Sequence, residues 1–89
     1  MMIPVSVNLG SVPKLPNGKN SLSGDVDVYI RDGKKHRSSG PAEINRRTGY
    51  EAWFKNGMLH RKNKPAVIDP EKKIKEYWEN GKFLRRETF

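Results

Sequence analysis

The chain has 89 residues, of which 18 are Lys or Arg and 10 are Asp or Glu, for a formal net charge of +8, and it contains no cysteine. That length allows one small domain and excludes a large buried active-site cavity, because so small a core cannot be hollowed out. The absence of thiols excludes disulfide scaffolds, thiolate zinc sites, cysteine nucleophiles and iron–sulfur clusters together. Leu, Ile, Val and Phe number 19, close to the content below which chains stay disordered. All the aromatic residues fall between Tyr29 and Phe89, so the material for a core is concentrated there.

Residues 3–9 come first, and their alternation of Ile3, Val5, Val7 and Leu9 predicts one strand. No positive charge precedes these apolar residues, and Pro4 and Pro13 interrupt the segment, which is unlike a secretory signal. No stretch approaches the roughly 20 apolar residues of a membrane span. A cytoplasmic protein with no membrane association is expected. Residues 10–24, rich in Gly, Ser, Pro and Asn, read as a loop, so 1–24 forms an N-terminal strand and loop ahead of a domain over 25–89. Pro13-Lys14-Leu15-Pro16 has the PxxP spacing that docks in aromatic grooves; a plain connecting loop is the preferred reading.

The charge is uneven. Residues 1–30 balance Lys14 and Lys19 against Asp25 and Asp27, so the whole +8 lies in residues 31–89. A field of that sign favours acidic partners, either nucleic acid or an acidic protein face. It is also the charge, about 2 to 8, that keeps many small domains soluble.

From residue 29 onward the chain repeats. Asp32-Gly33-Lys34-Lys35-His36-Arg37 aligns with Asn56-Gly57-Met58-Leu59-His60-Arg61 and with Asn80-Gly81-Lys82-Phe83-Leu84-Arg85, at an offset of 24 residues without a gap. Pro41-Ala42 falls on Pro65-Ala66, and Ile44 on Ile68. Ahead of each turn, Tyr29-Ile30-Arg31 falls on Trp53-Phe54-Lys55 and Tyr77-Trp78-Glu79. An Asp-Gly or Asn-Gly pair between β-prone residues is the strongest short hairpin signal, because a type I′ turn needs positive φ at both central positions. Strands are therefore predicted over 25–31, 34–37, 41–46, 49–55, 58–61, 65–68, 73–79 and 82–86. Residues 70–81 carry a Pro start and charges that would suit a helix, but they align with the strand and turn ending at Gly57, and the repeat overrules helix. The fold class is all-β, an antiparallel meander of hairpin repeats in which each unit touches its neighbours. Tyr29, Trp53 and Tyr77 form one ladder across it, and Ile30, Phe54 and Trp78 another on the opposite face.

This pattern resembles the MORN-type repeat proteins, elongated antiparallel sheets of short hairpins with an aromatic strand followed by an Asn-Gly turn. It is most similar to a variant in bacteriophage and giant-virus proteins whose unit resembles Trp53-Phe54-Lys55-Asn56-Gly57-Met58-Leu59-His60-Arg61 followed by Pro65-Ala66. The resemblance covers about residues 26–86, two full units and a partial third, with His60 replaced by Leu84 and Gly40 by Lys64. It implies a binding or assembly module of phage- or virus-like origin, and no reaction.

The polar constellations support the same class. His36-Arg37 and His60-Arg61 either present a phosphate-facing or pH-sensitive row with Arg85, or serve structure by satisfying backbone carbonyls or stacking on the rings. The structural role is favoured, because the pair recurs in step with Pro-Ala and Leu84 replaces His where no Pro-Ala follows. Two histidines without cysteine fall short of a closed zinc site, so no metal or cofactor is expected. His36 beside Ser38 and Ser39 does not converge on one reacting atom, and no catalytic residue is assigned. Arg37, Arg46, Arg47, Lys55, Arg61, Lys62, Lys64, Lys72, Lys73 and Lys75 surround Tyr29, Trp53 and Tyr77, which makes a basic aromatic face. Such a face stacks single-stranded nucleic acid, anchors a protein partner, or is core covered by long Lys and Arg stems. The charge favours protein and nucleic acid equally, and the resemblance to phage- and virus-like repeats implies the protein: a non-enzymatic binding protein that engages a host protein with an acidic surface and acts by occupying a site. Tyr29, Arg37, Trp53, Lys55, His60, Arg61, Tyr77 and Arg85 are the contacts. Direct RNA or DNA binding is the alternative; assembly through open sheet edges, giving a homo-oligomer, is a third.

Overall fold

The computed structural model describes residues 15–89, and the strand expected over 3–9 lies outside them. Every regular element described is a β-strand: β1 (Gly18–Ser21), β2 (Val26–Arg31), β3 (Lys34–Lys35), β4 (Glu43–Asn45), β5 (Tyr50–Ala52), β6 (Phe54–Lys55), β7 (Met58–Leu59), β8 (Val67–Asp69), β9 (Ile74–Glu79) and β10 (Lys82–Thr88). All pairings are antiparallel, in the order β1-β2-β4-β5-β8-β9-β10, with β3 also on β2 and β6 paired to β7. The protein is an all-β hairpin meander, as the repeat predicts. No helix among the described residues is long and apolar enough to cross a membrane.

The recurring turn has the predicted chemistry. Asp32, Asn56 and Asn80 take φ of 52°, 50° and 49°, and the glycines after them 77°, 83° and 79°. Positive φ at both positions is the type I′ turn, whose twist matches that of the flanking strands. Asn and Asp are the side chains that tolerate it.

Each unit is a fork rather than a plain hairpin. The end of β2 pairs with β3 (Ile30 opposite Lys35), while its first half pairs with β4 (Val28 opposite Glu43). Tyr29 stands where the two partners separate: its N–H donates to Ala42 O at 2.7 Å, and its carbonyl accepts the His36 N–H at 3.0 Å. Trp53 repeats this with Ala66 O at 2.7 Å and the His60 N–H at 3.0 Å. Because the ladder changes partner there, the strand expected over 49–55 is divided into β5 and β6. The strands expected over 34–37, 41–46 and 58–61 are likewise shorter, ending where the chain leaves one partner for the next.

The third unit closes the fork. β10 pairs with β9 from Lys82 to Thr88, with a register shift between Phe83 and Arg85. A single bulge at Leu84 stands in place of the excursions over 38–41 and 62–65, so one strand covers the edge that two strands cover in earlier units. The strand is therefore longer than the 82–86 expected. At the other end the reading of 10–24 as loop needs correction, because Gly18–Ser21 pairs with β2 from Ile30 to Asp27. Nothing in Gly-Lys-Asn-Ser favours a strand; the unpaired edge of β2 imposes it.

The core is thin and made of small side chains. Ala42, Ala52 and Ala66 are fully buried, with Val28, Ile30 and Val67 beside them. Ala42 and Ala66 are repeat equivalents, as are Val28 and Ala52. Asp27, 4% exposed, is the one buried charge among the described residues. It accepts the Ser21 hydroxyl at 2.8 Å and pairs with Arg46, whose guanidinium also bonds Gly24 O. This cluster fastens β1 and the β4 turn to β2.

Candidate functional site

The ring ladder is half-buried, and the arginines that follow each turn cover it. The guanidinium carbon of Arg37 lies 3.8 Å from the centre of the Tyr29 ring, that of Arg61 3.8 Å from Trp53, and that of Arg85 3.9 Å from Tyr77. The fork explains the register: the His36 N–H bonds back to Tyr29, so the next residue is delivered onto that ring. Stacked cation–π contacts of this kind stabilise by about 0.5–2 kcal/mol according to their desolvation. Arg37 Nη1 donates to Pro41 O at 3.2 Å and Arg61 Nη1 to Pro65 O at 3.1 Å. The Pro-Ala element thus provides a carbonyl that holds the arginine and an alanine small enough for the sheet centre. Gly40 belongs to the same arrangement, since a Cβ there would stand 3.1 Å from Arg37 Cζ. Lys64 replaces it in the second unit, where Asn63 takes φ of 64° and the excursion follows another path.

Between the first two excursions lies an open groove of about 700 Å³. Arg37, Lys55, Arg61 and Lys62 line it with His36 and His60, over a floor that includes Trp53 and Phe54, and no Asp or Glu lines it. The acids lie elsewhere. Burial, together with Glu43, Asp69 and Glu76 nearby, raises the Tyr50 phenol above the usual tyrosine range. Glu43 and Glu76 are themselves paired, with Lys35 at 2.7 Å and Arg86 at 2.9 Å. Those acids are thus compensated by bases outside the groove, whereas the groove lining holds cations and no acid.

The three stacked arginines are not equivalent. Among the described residues Arg37 and Arg61 meet no acidic group, whereas Arg85 is paired with Glu87. The hydrogen bond from Arg85, and then one from the Tyr77 hydroxyl at 3.0 Å, hold the Glu87 carboxyl below the usual carboxylate range. The structure thus brings Arg37, Trp53, Lys55, His60 and Arg61 together on one groove. Tyr29 lies under Arg37, and Tyr77 and Arg85 form a separate stack in which Glu87 neutralises the arginine.

The histidines serve structure, though by a different bond from the one expected. Among the described residues their rings donate to no carbonyl; His36 Nδ1 accepts the Asn56 N–H at 2.9 Å, and His60 Nδ1 accepts the Asn80 N–H at 2.9 Å. Each ring therefore carries its proton on Nε2 and joins one unit to the turn of the next. Arg31 Nη1 stands 3.2 Å from His36 Nε2, a donor facing a donor in that tautomer and so not a hydrogen bond. Leu84, the third-unit equivalent, lies at the register shift of β10 and has no ring nitrogen to offer such a bond.

No protein-family model, curated protein or solved structure matches this chain. Gly40, Pro41 and Phe54 line the groove without having been singled out as contacts, and Lys62, one of the bases expected around the rings, joins them. The 24-residue offset marks Pro41 with Pro65, but that their carbonyls orient arginines depends on the fork.

Proposed function

We propose that this protein is a non-enzymatic binding module that engages a protein partner through an acidic surface and acts by occupying that surface. The supporting observation is the pair Arg37 and Arg61, each backed by a ring and held by a proline carbonyl, in a groove lined by no acid. A guanidinium held in one orientation presents its N–H fork to a carboxylate with little further loss of freedom. The resemblance to phage and giant-virus repeats makes that partner a host protein and the place of action the host cytoplasm.

Direct stacking of nucleic-acid bases on Tyr29, Trp53 and Tyr77 has less support, because a guanidinium already covers a face of each ring. The test is fluorescence anisotropy of labelled polyglutamate and of labelled single- and double-stranded oligonucleotides, at about 50 and 200 mM salt. Polyglutamate binding that Arg37→Lys and Arg61→Lys weaken is the expected result. Submicromolar oligonucleotide binding with a steep salt dependence, and none to polyglutamate, would replace this reading with nucleic-acid binding.

A second reading, self-assembly, has its own observation. β10 ends the sheet of described strands, with Phe83, Leu84 and Phe89 between 47% and 59% exposed. A solution mass of 10.2 kDa at high concentration would exclude it.

A further inference from the structure

We propose that the groove accepts an extended segment of the partner in the polyproline II conformation, with carboxylates three residues apart seated on Arg37 and Arg61. The proposal rests on the acidic-partner reading above and adds the shape and spacing of the ligand. Arg37 follows β3, and its N–H donates to Phe54 O in β6; β6 pairs with β7, which leads to Arg61. The two arginines are thus two strand spacings apart, about 10 Å at ~4.8 Å per strand.

Few peptide conformations present two carboxylates on one side at that separation. A β-strand places residues i and i+2 on one face, about 7 Å apart, and turns i+3 to the other face. Polyproline II has three residues per turn and rises ~3.1 Å per residue, so i and i+3 point the same way about 9 Å apart. An α-helix reaches a like distance only at i+7, so it needs a segment of about eight residues and a body about 10–12 Å wide to meet both arginines. Trp53, Phe54 and Pro41 give the groove its apolar lining, but Arg61 and Lys35 already lie over the Trp53 and Phe54 rings, so the polyproline II choice rests on the spacing.

The four cations in the lining, with no acid among them, supply the charge complement. Lys55 and Lys62 then add attraction without setting spacing, because an ammonium is a point charge whereas each guanidinium is held by its ring and its carbonyl.

The experiment uses capped proline-rich peptides of one composition, each with two glutamates, placed at i and i+2, i and i+3, or i and i+5. Binding to the full chain is followed by two-dimensional NMR, reading the Trp53 indole and the Arg61 Nε–H, with polyglutamate as the reference acid. The i, i+3 peptide is expected to bind at least tenfold tighter than the other two, and Arg37→Lys or Arg61→Lys to abolish that preference while charge is retained. Equal affinity for all three peptides would overturn the spacing while leaving the acidic-partner reading intact. Polyglutamate binding with shifts outside the groove would overturn the groove as the site. If neither polyglutamate nor any peptide binds, both readings fail.

Discussion

His60 Nδ1 accepts the backbone N–H of Asn80 at 2.9 Å, across the boundary between the second and third units. His36 does the same for Asn56 at the preceding boundary. A strongly favoured turn is thereby tied to the unit before it by a side chain that can accept only while Nδ1 is unprotonated. His60→Ala should therefore loosen the third unit more than the first. We expect a loss of about 1 kcal/mol, the usual net value of one hydrogen bond to a group that water can still reach. Urea unfolding would measure it, and amide exchange should place the loss in β9 and β10.

The stacked arginine should shield its ring. Arg61→Ala removes both the Trp53 stack and the bond to Pro65, with an expected cost of about 1–2 kcal/mol. Trp53 emission, read with Trp78 replaced by Phe, should shift to the red while the cooperative thermal transition remains. Loss of the transition would instead place Arg61 among the residues the fold requires.

Gly57 tests the turn. Its φ is 83°, and an added Cβ would meet only the Lys34 side chain, at 3.5 Å. Gly57→Ala should thus act through backbone conformation rather than a clash, destabilising by about 1–2 kcal/mol. Asn56→Gly should be nearly neutral, since glycine also adopts positive φ readily. Chemical denaturation of the two variants side by side checks the contrast.

Asp27 should make stability depend on acid. Its hydrogen bond from Arg46, then that from Ser21, hold the carboxyl below the usual aspartate range despite its burial. A lowered folded value means that the contribution is present above the unfolded value, about 3.9, and is lost as pH falls through the folded one. Wild type should therefore lose stability below about pH 5 more steeply than Asp27→Asn, which lacks the titrating group. Thermal melts across the acid range would show converging curves.

Much of the fold was legible because its information is local. Asn-Gly at fixed spacing specifies a turn through φ alone, and the offset of 24 residues repeats that turn, so the hairpin rows and the aromatic ladder could be placed without coordinates. The polar segment Gly18–Ser21 was not legible as a strand: its pairing is dictated by the open edge of β2, which lies outside its own residues. Nor was the division at Trp53 legible, since it arises where one strand changes partners.

The site divides in the same way. By itself the sequence determined that three arginines and three rings recur in phase, that the positive charge sits in the repeats, and that the turns are type I′, because each follows from residue type and spacing. Only the tertiary structure decided that each arginine lies on its ring, that proline carbonyls hold Arg37 and Arg61, that Glu87 neutralises Arg85, and that Arg37 and Arg61 share an acid-free groove. The stacks and the groove join residues from different strands, while Arg85 and Glu87 share one face of β10; which charges meet depends on how the strands fork and where β10 closes the sheet.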